Sequence, residues 1–547
     1  MMATRLQERL IDSGLITEDS LNEALAITTS THQPLATVLR ERELIDETAL
    51  LPVLADFYGL TFIHLRDESI EPAAVRTITP KLAAHYKVMP VRLANGVLTL
   101  AVSDPLDTSA SEDIETNIGC HVERVLACHG EIVETLREHY GVGAETVERI
   151  LADSDGSHET PVSVEQSHDL ERMAEDTSVV RLVNQLIQEA IVNRATDIHF
   201  EVYRDGVVAR RRIDGVLYDT SVPENIRLLY PAIVSRIKLM SGLNIVERRM
   251  PQDGRTRVKI GASEYDLRIS IVPAIHGEDV VIRILPSAMI FDLAELGFQR
   301  GHLDAMEDLI STPHGIIFVT GPTGSGKSTT LYACLSHLNT RERKIITIED
   351  PVEYELRGLT QTQVNPKIGL TFAHSLRGML RHDPDVILVG EVRDRETAEI
   401  AIQTAMTGHL VLSSLHTNDA AGGAVRLTDM GIDPFLIAST VLVFAAQRLV
   451  RVICPECRET YESDGNTLFR GKGCRNCNQS GFHGRVAICE LLPLVPEIRQ
   501  MILERASAKD VRDRADALGM TTMVSDGWDK VAQGITTAEE VLRVTAA

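Results

Sequence analysis

The stretch that decides the fold of this chain runs from Ile316 to Ser328 and reads IIFVTGPTGSGKS. Its first four residues are apolar and lead into Thr320, which is typical of a strand buried on both faces. The pattern G-x-x-x-x-G-K-S follows at once, and a helix is predicted to begin near Thr329. A strand, a glycine-rich loop and a helix in this order predict a phosphate-binding loop in a parallel α/β sheet.

This loop carries the groups that bind a nucleoside triphosphate. Its glycines let backbone N–H groups turn toward a phosphate, and the helix N-terminus adds the positive end of its dipole. Lys327 is expected to reach the β- and γ-phosphates, and the Ser328 hydroxyl to bind Mg²⁺. The residues predicted to bind ATP are Gly321, Pro322, Thr323, Gly324, Ser325, Gly326, Lys327, Ser328 and Thr329.

Two further strands end in carboxylates. An apolar strand ending at Ile348 runs into Glu349, and a second, ending at Val389, runs into Gly390 and Glu391. Because the carboxyl ends of parallel strands meet at the ligand-binding crevice, both side chains are expected there. Glu391 then holds Mg²⁺ through water, and Glu349 orients or deprotonates the attacking water. The alternative for each is a solvated strand end.

Two histidines flank another apolar strand, at His409 and His416. A histidine at a strand end is often a structural hydrogen-bonding group, and that reading stays open for both residues. Their functional alternative is to sense the γ-phosphate, and His416 is the preferred candidate.

The cysteines predict a structural metal site. Two C-x₂-C pairs are separated by sixteen residues, a spacing typical of a tetrahedral zinc site. The predicted zinc ligands are Cys454, Cys457, Cys474 and Cys477. A redox-active C-x-x-C pair is the alternative.

Composition excludes several classes of protein. The chain has 547 residues, a net charge of −23 and only 4% aromatic residues, so extended nucleic-acid binding is not expected. The N-terminus lacks an apolar signal segment, and the longest uncharged apolar stretch, from Pro434 to Gln447, is too short to span a bilayer. We therefore expect a cytoplasmic protein.

The pattern along the chain predicts several domains. Leucines between Leu6 and Leu25 recur 29 positions later, which indicates two helix pairs with a shared apolar face, capped at Thr17 and Asp46. A strand at Val97–Val102 follows an Asn-Gly hairpin turn, and alternating strands and helices begin at Gly315. The predicted segments are a helical repeat at 1–60, a small α+β adaptor domain at 61–150, a linker at 151–177, an α+β domain at 178–290, and an α/β domain at 291–547 with a cysteine-rich insert at 452–484 and only helices after it.

Taken together, these motifs resemble the ATPase family of type II secretion and type IV pili. The resemblance is carried by ATDIHFE at 195–201, RIDG at 212–215, PQDGR at 251–255, the phosphate loop, the segment 380–394, the histidine strand and AQRL at 446–449. It implies a homohexamer with a RecA-like P-loop domain, a PAS-like α+β domain at 178–290, a Cys₄ zinc insert and an α+β N-terminal adaptor region. It also implies that Arg268 and Arg283 reach the nucleotide, and that His416 belongs to a histidine box.

The cysteine insert and the sequence YGVGAETV at 140–147 look most like the type II secretion members, which power pseudopilus assembly through inner-membrane platform proteins. A pilus-extension ATPase, a DNA-uptake motor and a non-catalytic nucleotide switch are the alternatives. The N-terminal repeat resembles a cyclic-di-GMP-binding module, but Gln7, Thr28 and Glu43 depart from its pattern. A helical docking domain for a membrane-platform partner is therefore preferred over cyclic-di-GMP binding.

Overall fold

The computed structural model of the chain describes residues 6, 9–11, 13–31, 38–39, 42, 44–147, 176–286, 291–463 and 465–546. These residues form two compact units, one of residues 1–260 and 266–285, the other of residues 261–265 and 286–547. A strand that crosses a boundary is assigned to the unit that holds most of its residues. The linker predicted at 151–177 lies outside the described residues as far as 175. Within the described ranges, every helix is too short or too polar to cross a bilayer.

The first unit has the mixed helices and strands of an α+β architecture. Its elements are α1 Glu18–Thr31, α2 Glu47–Tyr58, β1 Thr61–Phe62, α3 Pro72–Val75, α4 Pro80–Tyr86, β2 Met89–Ala94, β3 Val97–Val102, α5 Ser109–Ile118, β4 His121–Leu126, α6 His129–Tyr140, α7 Thr177–Val192, β5 Ala195–Val202, β6 Val207–Ile213, β7 Val216–Thr220, α8 Ile226–Met240, β8 Gln252–Ile260, β9 Ser263–Ala274 and β10 Gly277–Pro286.

The leucine repeat near the N-terminus forms one shared core, as predicted. Asp46 caps α2 by accepting the N–H of Thr48 at 2.8 Å, and the Thr17 hydroxyl accepts the N–H of Ser20 at 3.3 Å beside α1. The buried residues of the repeat are Leu6, Leu10, Ile16, Leu21, Leu39, Ile45, Leu50 and Leu54. Both predicted caps are confirmed, because each satisfies a backbone donor that the first helical turn leaves free.

A four-stranded sheet in the order β1-β4-β3-β2 packs against this helical core. Strands β2 and β3 are antiparallel and are joined by Asn95 and Gly96, whose φ angles are 53° and 77°. Positive φ at both positions is what a two-residue turn of type I′ needs, and it confirms the predicted hairpin. Beyond α6, the N–H of Val142 donates to the carbonyl of Ser221 at 2.9 Å, which ties this part to the rest of the unit.

The remainder of the first unit is a six-stranded sheet in the order β7-β6-β5-β10-β9-β8. Helix α7 is the predicted amphipathic helix, and its buried face includes Val179, Leu182 and Leu186. Strand β5, central in the sheet, was not predicted as a strand. Its apolar run is interrupted by polar residues such as Asp197, which is buried and paired with an arginine of the neighbouring strand β10.

The second unit contains the phosphate loop. Its elements are α9 Arg300–Ile310, β11 Gly315–Thr320, α10 Lys327–Leu338, β12 Ile345–Glu349, β13 Thr360–Gln363, α11 Phe372–Met379, β14 Val386–Val389, α12 Arg395–Met406, β15 Leu410–Leu415, α13 Ala420–Asp429, α14 Pro434–Thr440, β16 Val441–Ile453, β17 Arg458–Ser463, β18 Asn466–Gly471, β19 Phe482–Pro493, α15 Pro496–Leu503, α16 Ala508–Ala517, α17 Met523–Ala532 and α18 Ala538–Thr545.

A seven-stranded sheet in the order β13-β12-β14-β15-β11-β16-β19 forms the middle of this unit. Six of its strands run parallel, from β13 to β16, and this confirms the predicted parallel α/β fold. Strand β11 lies between β15 and β16 and is buried along its whole length. The carboxyl ends of β11, β12, β14 and β15 therefore lie at one edge of the sheet.

Two details differ from the prediction. Helix α10 begins at Lys327 rather than near Thr329, so Lys327 and Ser328 belong to its first turn. The segment after the cysteine insert does not continue as helices, because Phe482–Pro493 forms β19, antiparallel to β16. The apolar residues of β19 are buried against β16 and α17, which are distant in sequence. Local helix propensity does not reveal such contacts.

Candidate nucleotide site

The loop between β11 and α10 is shaped to receive an anion. Gly321, Gly324 and Gly326 have φ angles of 151°, 80° and 89°, which non-glycine residues rarely adopt. A Cβ on Gly321 or Gly326 would lie 2.7 or 2.8 Å from atoms of Gln447, whereas nothing lies within 4 Å of one on Gly324. The loop is thus packed on one side and open on the other, where its amides and the start of α10 can meet phosphate.

Lys327 lies at the start of α10 and turns back over the loop. Its Nζ donates to the carbonyls of Gly321 and Pro322 at 2.8 and 3.0 Å. Burial lowers the pKa of Lys327 to about 8, with Arg448 acting in the same direction and the Glu391 carboxylate opposing it. Lys327 and Glu391, 64 residues apart in sequence, are therefore close enough to interact, as the predicted site requires.

Gln447 supports the loop from behind, and sequence reasoning gave it no role of its own. Its Nε2 donates to the Ser325 carbonyl at 2.7 Å, and its Oε1 accepts the Thr330 hydroxyl at 2.8 Å. The side chain is 2% exposed, so both bonds are protected from water. The Ser325 hydroxyl is also buried and has no hydrogen-bond partner, which leaves one polar atom of the loop for another group. This network and the open side at Gly324 fit a bound triphosphate.

Glu391 lies one residue beyond Gly390 at the end of β14, with its side chain 12% exposed. Its Oε1 is 2.6 Å from a guanidinium nitrogen of Arg393, and its Oε2 is 3.4 Å from Nε2 of His416. The structure thus brings Glu391 and His416 together. Arg393 was not predicted, although it lies only two residues along the chain. The two partners fix the orientation of the Glu391 carboxylate.

Glu349 ends β12 and is 4% exposed. One of its oxygens accepts the Thr347 hydroxyl at 2.5 Å and the Gln361 side-chain amide at 3.3 Å. Its other oxygen accepts the phenol of Tyr332, from α10. None of these three donors was recognised from the sequence. Thr347 lies on the same face of β12, whereas strand pairing brings Gln361 and the packing of α10 brings Tyr332.

The two flanking histidines have different surroundings. His409 lies close to the Thr404 carbonyl at 3.0 Å and to the Thr407 hydroxyl at 3.2 Å, so it contacts the end of α12. These contacts fit the alternative that His409 is a structural hydrogen-bonding group. The strand between the histidines is joined to the phosphate-loop strand where Thr417 N–H donates to the Thr320 hydroxyl at 2.9 Å. His416 therefore lies beside the nucleotide crevice, whereas His409 is bonded within its own helix–strand connection.

Arg268 and Arg283 belong to the first unit, on the neighbouring strands β9 and β10. The Arg283 Nε lies 3.2 Å from Oδ1 of Asp197, and its side chain is 57% exposed. Asp197 also accepts the Thr196 hydroxyl at 2.7 Å and lies 3.7 Å from Nε of Arg212. Asp197, which the sequence marked only as part of the 195–201 motif, therefore orients the exposed Arg283 side chain.

The four predicted zinc ligands come together in one cluster. The Sγ atoms of Cys454 and Cys474 are 3.7 Å apart, those of Cys457 and Cys477 3.8 Å, and all four lie within 4.8 Å of one another. Four thiolates at about 2.3 Å from a tetrahedral Zn²⁺ are about 3.8 Å apart, so the donor set fits zinc. The separations are far longer than a disulfide bond, and all four cysteines are free thiols.

The residues compared with a cyclic-di-GMP module are only partly described. Gly14, which fits the pattern of that module, has a φ angle of 70°, and Thr28 is half-buried with no partner for its hydroxyl. Gln7 and Glu43 lie outside the described residues.

Two known families match parts of the chain. The family described as type II/IV secretion system protein matches residues 172–543, and the family described as MshEN domain matches residues 58–146. The first match covers more than half of the chain. The protein therefore belongs to the type II/IV secretion system protein family, and it is an ATP hydrolase with a RecA-like fold.

Full-length relatives support this membership. The type IV pilus assembly ATPase PilB of Myxococcus xanthus is 39% identical over 100% of this chain and 99% of its own length. The type II secretion system protein E of Xanthomonas campestris is 39% identical over 99% of this chain and 98% of its own length. The X-ray structure of the ATPase DotB of Legionella pneumophila covers 66% of this chain and 95% of DotB, with a TM-score of 0.52 at 23% identity, and supports the fold alone.

Proposed function

We propose that this protein is the cytoplasmic, hexameric ATPase that powers pseudopilus assembly and protein export in a type II secretion system. The observation that carries the proposal is a glycine-rich loop, open at Gly324, whose Lys327 lies within electrostatic range of the Glu391 carboxylate. The loop glycines bind the phosphates, and Lys327 neutralises their charge. This arrangement serves ATP turnover rather than a passive nucleotide switch, because carboxylates are retained at both neighbouring strand ends.

Each predicted site residue then has a separate task. The Ser328 hydroxyl, exposed in the first turn of α10, holds Mg²⁺ together with water bound by Glu391. The bound ion neutralises charge on the phosphates. Glu349 accepts a hydrogen bond from the attacking water and orients it toward the γ-phosphate. His416 reports the nucleotide state to Glu391, since it contacts that carboxylate directly.

Arg268 and Arg283 complete the site from a neighbouring subunit, as arginine fingers that spread transition-state charge. Support comes from Arg283, whose guanidinium is exposed yet oriented by the buried Asp197. A closed ring of identical subunits supplies such sites head to tail. The assembly is therefore a homohexamer in which each P-loop uses arginines of the next chain.

The cysteine insert holds a structural Zn²⁺. All four thiolates are used by the metal, and backbone N–H groups of Cys474 and Gly481 donate to Cys477 Sγ at 3.2 and 3.3 Å. Such bonds stabilise a metal-bound thiolate. A tetrahedral site of four cysteines leaves no position for substrate, so the metal stabilises the fold.

The N-terminal helical repeat docks the enzyme to inner-membrane platform proteins, so that the enzyme is peripheral to the membrane through partners. We prefer this role to cyclic-di-GMP binding because Thr28 and Glu43 replace residues that the module needs. Pilus extension is the alternative function, since the pilus assembly ATPase is a relative at equal identity over the full length. A DNA-uptake motor is disfavoured by the net charge of −23.

A mixing experiment tests the site and the ring together. Lys327→Ala and Arg283→Ala should each abolish ATP turnover in the purified hexamer, while the circular dichroism spectrum stays that of the wild type. Mixing the two inactive proteins should restore part of the activity, because some interfaces then pair an intact P-loop with an intact arginine. Full turnover by Lys327→Ala contradicts the site, and absence of any recovery after subunit exchange contradicts the shared interface.

A further inference from the structure

Glu349 is held so closely that only one of its oxygens has bonding capacity to spare. A carboxylate offers about four lone pairs, two on each oxygen. The Oε1 atom accepts from both Thr347 and Gln361, at 2.5 and 3.3 Å. The Oε2 atom accepts only from the Tyr332 phenol. Any water that Glu349 orients must therefore bind Oε2, and the phenol fixes the direction of its remaining lone pair.

The Tyr332 ring is itself fixed in place. It is 1% exposed, stacks on Phe291 with ring centroids 5.2 Å apart, and meets Tyr354 edge-on at 5.8 Å. Since both aromatic contacts depend on the ring and not on the hydroxyl, the ring keeps its position when the hydroxyl is removed. The hydroxyl serves as a proton donor at any working pH, because burial and the Glu349 carboxylate both raise the pKa of Tyr332.

The position of Tyr332 connects the phosphate loop to the carboxylate. Tyr332 lies five residues beyond Lys327 in α10, the helix that the loop opens into. Glu349 lies at the end of β12, on the face against which this helix packs. A shift of α10 that follows phosphate binding would therefore move the phenol and the carboxylate together.

We propose that Tyr332 is a positioning residue for ATP hydrolysis, which acts by holding Oε2 of Glu349 in the orientation that binds the attacking water. The proposal rests on the role given to Glu349 in the proposed function. Tyr332 does not touch the nucleotide, and loss of its hydroxyl should slow the chemical step without weakening ATP binding.

The test is Tyr332→Phe in the full-length hexamer. We expect kcat to fall by about ten- to hundredfold, the loss typical of a hydrogen bond to a charged group, with KM for ATP unchanged within about twofold. Melting temperature should fall by a few degrees, because the buried Glu349 carboxylate and the N–H of Tyr354 each lose a partner. The affinity for a non-hydrolysable ATP analogue should stay near wild type, since the ring contacts remain. Tyr230→Phe is the matched control: this buried phenol donates only to backbone carbonyls, to Glu278 at 2.8 Å and to Phe200 at 3.4 Å.

A double mutant separates this proposal from the role of Glu349 itself. Glu349→Gln should be nearly inactive, and adding Tyr332→Phe to it should lower the residual rate no further. Wild-type kcat in Tyr332→Phe beside an inactive Glu349→Gln overturns the positioning role and leaves the Glu349 assignment intact. A further fall of similar size in the double mutant shows that Tyr332 acts independently and also overturns the proposal. An active Glu349→Gln overturns the assignment of Glu349.

Discussion

The low pKa of Lys327 has a measurable consequence for nucleotide binding. Burial brings the pKa of this ammonium to about 8, so in the free protein it loses its proton within an accessible pH range. A bound triphosphate favours the charged form and returns the pKa to its ordinary value near 10.5 or above. ATP binding therefore takes up a proton above pH 8, and affinity must fall as the pH rises.

The size of the effect follows from the fraction of charged lysine. With a pKa of about 8 in the free protein, raising the pH from 7.5 to 9.0 lowers that fraction about eightfold, or about 1.3 kcal/mol of binding free energy. Because the ammonium is partly solvated, screening reduces this loss. We expect the dissociation constant for a non-hydrolysable ATP analogue to rise by about four- to eightfold.

Titration of a fluorescent analogue at fixed magnesium and ionic strength, between pH 7.5 and 9.0, measures this dependence. The triphosphate itself is fully ionised throughout that range. Lys327→Arg is the matched control, since a guanidinium stays charged and its affinity should be flat with pH. A change of less than twofold in the wild type, or an equal slope in Lys327→Arg, refutes the assignment of the titrating group to Lys327.

Three other outcomes are expected. Gln447→Leu leaves the Ser325 carbonyl without its donor, so the protein should lose about 1–3 kcal/mol of stability in urea unfolding. It should also bind ATP more weakly, and unchanged binding contradicts the proposal that Gln447 supports the loop. Cys457→Ser should remove the one zinc equivalent per chain found by elemental analysis of protein purified without chelator, and a wild type that contains no metal would exclude the site. Burial alone would raise the pKa of Glu540, but its bonds with Arg543 and Arg451 lower that pKa to about 2. Glu540→Gln should therefore destabilise the protein near pH 7, and the difference in unfolding free energy from the wild type should shrink as the pH falls from about 4.5 toward 2. A difference that does not change with pH contradicts the ion pair.

The motifs that the sequence predicted are local ones. The phosphate loop, the Asn-Gly hairpin turn, the caps at Thr17 and Asp46 and the amphipathic helix α7 each depend on residues within one or two turns of chain. Their spacing reflects the period of a helix or a strand, or the φ angles that a turn requires, and these are properties of a short segment. The parallel sheet was likewise predicted, from the alternation of strands and helices after Gly315.

What surrounds the nucleotide site was decided by the tertiary structure alone. Gln447 donates to the loop carbonyl of Ser325, 122 residues earlier in the chain. Tyr332 of α10 reaches Glu349 of β12, and Asp197 orients Arg283 across 86 residues. Strand β19 is likewise paired with the distant strand β16. Such contacts depend on which elements the sheet order makes neighbours, and a buried polar group satisfied across the core leaves no periodic signal along the chain.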